Sequence, residues 1–205
     1  MKDGLLYLAV ESDASHAGNR EDRKGVSGYN IFLKGPRTSA LLEAHTCGLS
    51  RVTLSSAETE IVGAERATRV VVRIKMLLDL LLGFEVANSD SAAFDHGIRT
   101  GLHLDAEAAI KIVRNAGSSK VAHLRRSLGV SIMYLHEAWC RATNTFLAHM
   151  SGKVLTADMH TKSLNAETHS KHTQQMGIVD ESEIKQGARE LVFGPRDCIK
   201  PGSGI

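Results

Sequence analysis

The chain has 205 residues, 42% of them hydrophobic and only 4% aromatic, so one domain with an aliphatic core plus a tail is expected. Its net charge of +2 permits nucleic-acid binding without arguing for it. The longest apolar candidate, residues 70–82, is interrupted by charged side chains, which excludes a membrane span there.

The first part of the chain predicts strands followed by one long helix. Short apolar runs bounded by turn-formers indicate strands at residues 5–11, 29–33 and 38–45, arranged as an antiparallel meander. The first run is expected to be a strand and not a signal peptide, because acidic residues follow it at once. Apolar residues then recur at helical spacing from Ile61 to Leu81, after a serine that can cap the helix.

The second part alternates shorter elements. After a loop or insertion at residues 87–100, the element order predicts an α/β or α+β sheet flanked by helices. The predicted strands are 102–104 and 146–150, and the predicted helices are 106–114, 123–140, 155–164 and 166–176.

The chain has three cysteines and no CxxC pair, which predicts reduced thiols in an intracellular protein of the cytoplasm or nucleus.

Four acids stand at or near the ends of these elements: Asp13, Glu60, Asp105 and Asp158. In a sheet-based fold such side chains can converge on one edge, where cations would have to neutralise their repulsion. Hard oxygen ligands suit magnesium or manganese, and two such ions can clamp a phosphodiester. The positions of the four acids alone leave a second interpretation open, in which they are ordinary helix caps and surface residues.

The segments around these acids resemble the ribonuclease H domain at the end of copia-type (Ty1/copia) retrotransposon reverse transcriptases. The resemblance covers nearly the whole chain, from about residue 5 to residue 178, with the matching segments in the family's order. The first and the last segment together are the most specific. The four segments are SDASHAGNREDRKGVSGY (12–29), LSSAETEIVGAERA (54–67), HLDAEAAIKI (103–112) and SGKVLTADMHTKSL (151–164).

The resemblance implies a ribonuclease H-like α/β fold, with a mixed five-stranded sheet flanked by helices. It implies hydrolysis of the RNA strand of RNA–DNA hybrids by two Mg²⁺ ions, for which Mn²⁺ can substitute. Carried over by position, the metal-binding catalytic acids are Asp13, Glu60, Asp105 and Asp158. Glu58 also lies in the second segment, but Glu60 is favoured because the second acid of the pair faces the sheet in the family.

Two departures from the family pattern concern the neighbourhood of the acids. His16 stands where the family usually has tryptophan, and Ala106 follows Asp105 where asparagine is usual. His123 lies in a stretch similar to the family's Lys-His segment, and it could move a proton or help product leave. The alternative for His123 is a structural hydrogen bond at a helix start.

Basic and hydroxyl side chains near the motifs are candidates for binding substrate phosphates. Each could equally be an ordinary solvated surface residue. The expected domain spans residues 1–178, followed by a polar tail at 179–205. The expected partners are an RNA–DNA hybrid and a reverse transcriptase polymerase domain, with no membrane. The candidate substrate-binding residues are Ser15, Arg20, Arg23, Lys24 and Lys162.

Three other functions remain open on the sequence. A decayed copy could keep the fold and bind nucleic acid without cutting it. The chain could also be a structural domain that depends on a polymerase partner. A related nuclease of the same fold, such as a resolvase or an integrase, is the third alternative.

Overall fold

The structure is a computed structural model that describes residues 6–16, 21–50, 52–85, 92–117 and 126–178. Arg20, His123, Cys198 and the expected tail at 179–205 lie outside these residues. Within the described ranges, no helix has both the length and the apolar character that crossing a bilayer requires.

Five strands form one mixed sheet in the order β3-β2-β1-β4-β5. Strand β2 is antiparallel to both β1 and β3, whereas β4 runs parallel to β1, and β5 runs parallel to β4. The predicted fold class is confirmed, with the meander on one side and the two later strands on the other. The strands are β1 (Tyr7–Ser15), β2 (Val26–Gly35), β3 (Thr38–Gly48), β4 (Arg99–Leu104) and β5 (Thr145–His149).

In the part of the chain that the structure describes, four α-helices accompany the sheet. Three of them, α1, α2 and α3, contribute side chains to one large core with the strands. On the other side of the sheet a smaller apolar cluster joins Ala9 and Phe32 to Met176. The helices are α1 (Ser56–Leu81), α2 (Glu107–Arg114), α3 (Arg126–His136) and α4 (Ala166–Gln175).

The start of α1 is fixed by a reciprocal cap. Ser55 has extended backbone (φ −154°), and its hydroxyl accepts the Glu58 amide hydrogen at 3.2 Å. The Glu58 carboxylate in turn accepts the Leu54 amide hydrogen at 2.6 Å. The first bond satisfies a backbone donor that the first helical turn leaves unpaired, and the second satisfies the amide of the residue before the cap. Glu58 is thus the capping acid of this segment, and its side chain is buried.

A buried ion pair near the end of α1 anchors the chain that enters β4. The Lys75 ammonium, fully buried, donates to Asp79 at 2.6 Å and to the His96 carbonyl at 2.5 Å. Asp79 also accepts the Ile98 amide hydrogen at 2.7 Å. Gly97 has a φ of +69°, and a Cβ there would lie 2.3 Å from the Asp79 carboxyl group, so only glycine fits. The pair therefore fixes where β4 begins.

Several predicted boundaries need correction. Strand β1 extends to Ser15, so Asp13 lies inside the strand and not just past it. The predicted helix at 155–164 is wrong, because only one short 3₁₀ helix, Thr156–His160, forms there. After α3 the chain continues as a π-helical turn, Glu137–Arg141.

Candidate acid site

Three aspartates meet at one edge of the sheet. Asp13 lies near the end of β1, Asp105 directly follows β4, and Asp158 lies in the 3₁₀ helix. One carboxylate oxygen from each lies within 4.8 Å of the others. Because β1 and β4 are parallel neighbours, with Glu11 opposite His103, the residues two positions further on reach the same edge.

Glu60 is the fourth acid and approaches from α1. It is 5% exposed, and its Oε2 atom has no hydrogen-bond partner. Burial raises the pKa of Glu60 to about 9, with further contributions from the charges of Asp13 and Asp105. The Ala14 backbone amide, which bonds the carboxyl group, opposes that shift. The four residues Asp13, Glu60, Asp105 and Asp158 are called the acid site below.

The ammonium group of Lys162 lies among the three aspartates. Its Nζ atom is 3.1 Å from Asp13 Oδ1, 3.3 Å from Asp105 Oδ2 and 3.0 Å from Asp158 Oδ1. Burial alone would lower the pKa of Lys162, but the Asp13 and Asp158 carboxylates raise it well above its usual range. Burial raises the pKa of Asp158, and the ammonium opposes this shift. Sequence reasoning had assigned Lys162 to substrate phosphates and not to this contact.

A buried carboxylate that sequence reasoning missed holds the 3₁₀ helix in place. Glu11, 1% exposed, accepts the amide hydrogen of Thr156 at 2.9 Å and its hydroxyl at 2.6 Å. Its other oxygen accepts from the Lys34 ammonium at 2.7 Å. Thr156 lies two residues before Asp158, so Glu11 sets the position of that acid. The available signal was alternation, since Glu11 is two residues before Asp13 and shares its face of β1.

Three further contacts fasten the same segment to the sheet. The Thr161 hydroxyl donates to Asp13 Oδ2. The His160 ring lies 2.8 Å from Asn30 Oδ1 through Nε2, and 2.7 Å from the Thr46 hydroxyl through Nδ1. Nε2 therefore donates to the amide oxygen and Nδ1 accepts from the hydroxyl. Both ring nitrogens of His160 are therefore occupied by contacts to the sheet.

The remaining sequence candidates within the described residues lie at the end of β1 and in the segment that follows it. The Lys24 ammonium is 3.3 Å from Asp22, and Arg23 is exposed with a φ of +58°. Ser15 is half-buried at the end of β1. His16 stands where copia-type domains usually have tryptophan. Its Nδ1 atom lies 3.1 Å from the hydroxyl groups of both Thr53 and Thr59. Arg20 and His123 lie outside the described residues.

The residues of the acid site fit divalent metal ions. All donor atoms are carboxylate oxygens, the ligand type that magnesium and manganese prefer. The unpartnered Glu60 oxygen is costly in a buried position unless a cation or a proton satisfies it. Gly152 leaves room beside the acids, since a Cβ there would lie 3.0 Å from Asp158 Oδ2 and 3.5 Å from Asp105 Oδ2.

The strand order, the parallel pairing of β1, β4 and β5, and the acids at the strand ends define the class: an α/β protein with a ribonuclease H-like fold. A scan against family models and a search of curated proteins each gave no match. Among solved structures, the chain is similar to RNase H1 from the archaeon Halobacterium salinarum, with 13% identity and a TM-score of 0.48. The aligned region covers 76% of this chain and 94% of the archaeal protein.

Two more solved structures are similar in the same way. The N-terminal RNase H domain of a Mycobacterium tuberculosis protein is 14% identical with a TM-score of 0.48, over 82% of this chain and 97% of the other. LC9-RNase H1, described as a type 1 RNase H with the type 2 active-site motif, is 16% identical with a TM-score of 0.42, over 92% and 84%. These are likenesses of fold, and the fold class itself follows from the strand order and connections.

Proposed function

We propose that the chain is a metal-dependent endonuclease of the ribonuclease H type, which hydrolyses the RNA strand of RNA–DNA hybrids. We also propose that it belongs with the copia-type reverse transcriptase domains that its motifs resemble. One observation carries the activity: acids from β1, α1, the end of β4 and the 3₁₀ helix converge, and one buried carboxylate oxygen among them has no partner.

Asp13, Glu60, Asp105 and Asp158 would hold two Mg²⁺ ions, or Mn²⁺ in their place. When bound, such ions activate water for attack on a phosphodiester and stabilise the leaving oxygen. The protein's own part is to keep the acids fixed, since Glu11 holds the segment of Asp158 and the Thr161 hydroxyl holds Asp13. Precise positioning of a reacting phosphate requires ligands that are held rigidly in this way.

The substrate contacts remain part of the proposal. Ser15, Arg20, Arg23, Lys24 and Lys162 would contact phosphates, and the binding would weaken with salt. Arg23 and Lys24 support this role because they are exposed or half-exposed in the loop that follows β1, the strand of Asp13. His123 would move a proton or help product leave.

Cleavage of a fluorogenic RNA–DNA hybrid in the presence of Mg²⁺ tests the activity. Wild-type protein should cleave, and Asp13→Asn should lose at least about 10²-fold in rate, because the proposed metal site would lose the charge of one of its carboxylate ligands. Asp95→Asn is the control, since Asp95 bonds Thr143 on the side where β4 begins, away from the acids. A wild-type protein without cleavage, or an active Asp13→Asn variant, would refute the proposal.

A binding module without turnover is the second candidate, and the contacts of His16 favour it. In place of the family's tryptophan, this histidine bonds Thr53 and Thr59, so one family feature beside Asp13 is replaced. Tight binding of hybrid with no metal-dependent cleavage would establish this alternative.

A polymerase domain is the proposed protein partner. This proposal is supported by an apolar surface at the C-terminal end of α1. At a rise of 1.5 Å per residue, that surface lies about 30 Å from Glu60. A surface of this kind is typical of protein contacts and leaves the acid site free. Cleavage that rises when a reverse transcriptase polymerase domain is added, and that Leu81→Glu prevents from rising, would support the partner. The exposed residues are Leu77, Leu80, Leu81, Leu82 and Phe84.

A further inference from the structure

The Lys162 ammonium is the only described cation in contact with the acid site's aspartates, and it touches all three. The carboxylates come from β1, from the end of β4 and from the 3₁₀ helix, so one side chain joins three separate parts of the chain. The distances of 3.0 to 3.3 Å are somewhat longer than a single charge-assisted hydrogen bond of about 2.7–2.9 Å, because one ammonium is shared among three carboxylates.

The backbone holds Lys162 ready for this contact. Its amide hydrogen bonds the Asp158 carbonyl at 3.0 Å, and its side chain turns back to the Asp158 carboxylate. The Lys162 side chain is 40% exposed, whereas those of Asp13 and Asp158 are 0% and 9% exposed. The ammonium thus lies at the open side of the cluster and can reach solvent by rotating its own side chain.

We propose that Lys162 is an internal counterion that keeps the acid site assembled before metal binds, and that it competes with divalent ions for the same carboxylate oxygens. This inference rests on the proposed function, because it concerns the same site. A bound magnesium ion takes its oxygen ligands at about 2.0–2.1 Å. Oxygens that already receive hydrogen bonds from the ammonium must therefore exchange it for the ion, and Lys162 must leave.

Titration calorimetry with MnCl₂, without nucleic acid, tests the competition directly. Lys162→Met removes the charge and keeps the length of the side chain. It should bind Mn²⁺ about tenfold more tightly than wild type, a modest effect because the ammonium is partly exposed to solvent. Lys162→Arg keeps the charge and should stay close to wild type. Lys171→Met, on the exposed surface of α4, is the matched control and should also bind like wild type.

Thermal unfolding gives a second readout that does not depend on activity. In EDTA, Lys162→Met should unfold at a lower temperature than wild type, because the three carboxylates then repel one another without compensation. Added Mn²⁺ should raise its melting temperature by more than it raises that of wild type. Lys162→Gln should behave in the same way, which guards against an effect specific to methionine.

Equal or weaker Mn²⁺ binding by Lys162→Met and Lys162→Gln would overturn the inference and leave the proposed function intact. Tighter binding by Lys162→Arg as well would also overturn it, because charge would then not be the cause. Absence of Mn²⁺ binding from wild type and all variants would remove the proposed function together with this inference.

Discussion

Replacing Glu60 by glutamine should stabilise the metal-free protein at alkaline pH while weakening its binding of metal. The side chain is almost completely buried, lies beside Asp13 and Asp105, and has an oxygen without a partner. Ionising such a group costs free energy in the folded state and none in the unfolded state. Glutamine keeps the shape and a carbonyl that the Ala14 amide can bond, but it carries no charge.

The magnitude follows from the pKa of Glu60, which is about 9 in the folded protein against an ordinary value of 4.5. A raised pKa means that the group's stabilising contribution is complete below pH 4.5 and is lost as the pH rises to about 9. Each pH unit in that window is worth about 1.4 kcal/mol, so the loss at pH 7.5 is about 4 kcal/mol as an upper estimate. Relaxation and water entry should reduce it to about 1–3 kcal/mol.

Urea unfolding in EDTA at pH 5.5 and pH 8.0 measures this difference. Glu60→Gln should be close to wild type at pH 5.5 and more stable at pH 8.0, and added Mg²⁺ should stabilise it less than wild type. Glu58→Gln is the matched control on the same helix, because that carboxylate bonds the Leu54 amide instead of facing the acids. It should not make the metal-free protein more stable. A Glu60→Gln variant destabilised equally at both pH values would refute the reasoning.

Three other substitutions test how the acid site, and the strand that leads to Asp105, are held in place. Glu11→Gln should cost about 2–3 kcal/mol in urea unfolding and weaken Mn²⁺ binding, because the helical turn that carries Asp158 loses its charged acceptor; unchanged metal binding would contradict this. Gly152→Ala should weaken Mn²⁺ binding by crowding the Asp158 carboxylate and cost under about 1 kcal/mol of stability; calorimetry showing wild-type affinity would count against it. Lys75→Met should cost about 3–5 kcal/mol by leaving Asp79 buried and unpaired, as thermal unfolding would show; a loss below 1 kcal/mol would speak against it.

The elements that sequence could predict are those with local causes. Helix α1 has a serine cap, an acid three residues later and apolar residues at helical spacing, and the structure confirms it from Ser56 to Leu81. The strands of the meander were also predicted, but their ends were not. Strand β1 continues through Ser12 and Asp13, which are polar and buried, because β2 pairs with them through Tyr29 and Gly28.

The helix predicted at residues 155–164 failed for a reason that lies 145 positions away. The Thr156 amide hydrogen and hydroxyl are both bound by Glu11, so the segment is held against β1 at its first residue. Asp158 and Thr161 then turn toward Asp13 and its neighbours, and the chain forms one 3₁₀ turn. Local propensity contains no information on such a contact, whereas the meeting of acids at one edge of the sheet was expected from a sheet-based fold and from the family resemblance.

Two features reduce repulsion in the metal-free acid site, and metal binding must undo both. At neutral pH Glu60 retains its proton, since its pKa is about 9, and the Lys162 ammonium offsets the charges of the aspartates. A divalent ion that takes Glu60 as a ligand must release that proton, because the ionised carboxylate is the ligand. An ion that takes the aspartate oxygens must displace the ammonium. The affinity of the site for metal therefore depends on pH through Glu60, and on the charge at residue 162 through competition. Substitution of Lys162 changes only the competition, and a change of pH around the pKa of Glu60 changes only the proton release, so the two effects can be measured separately.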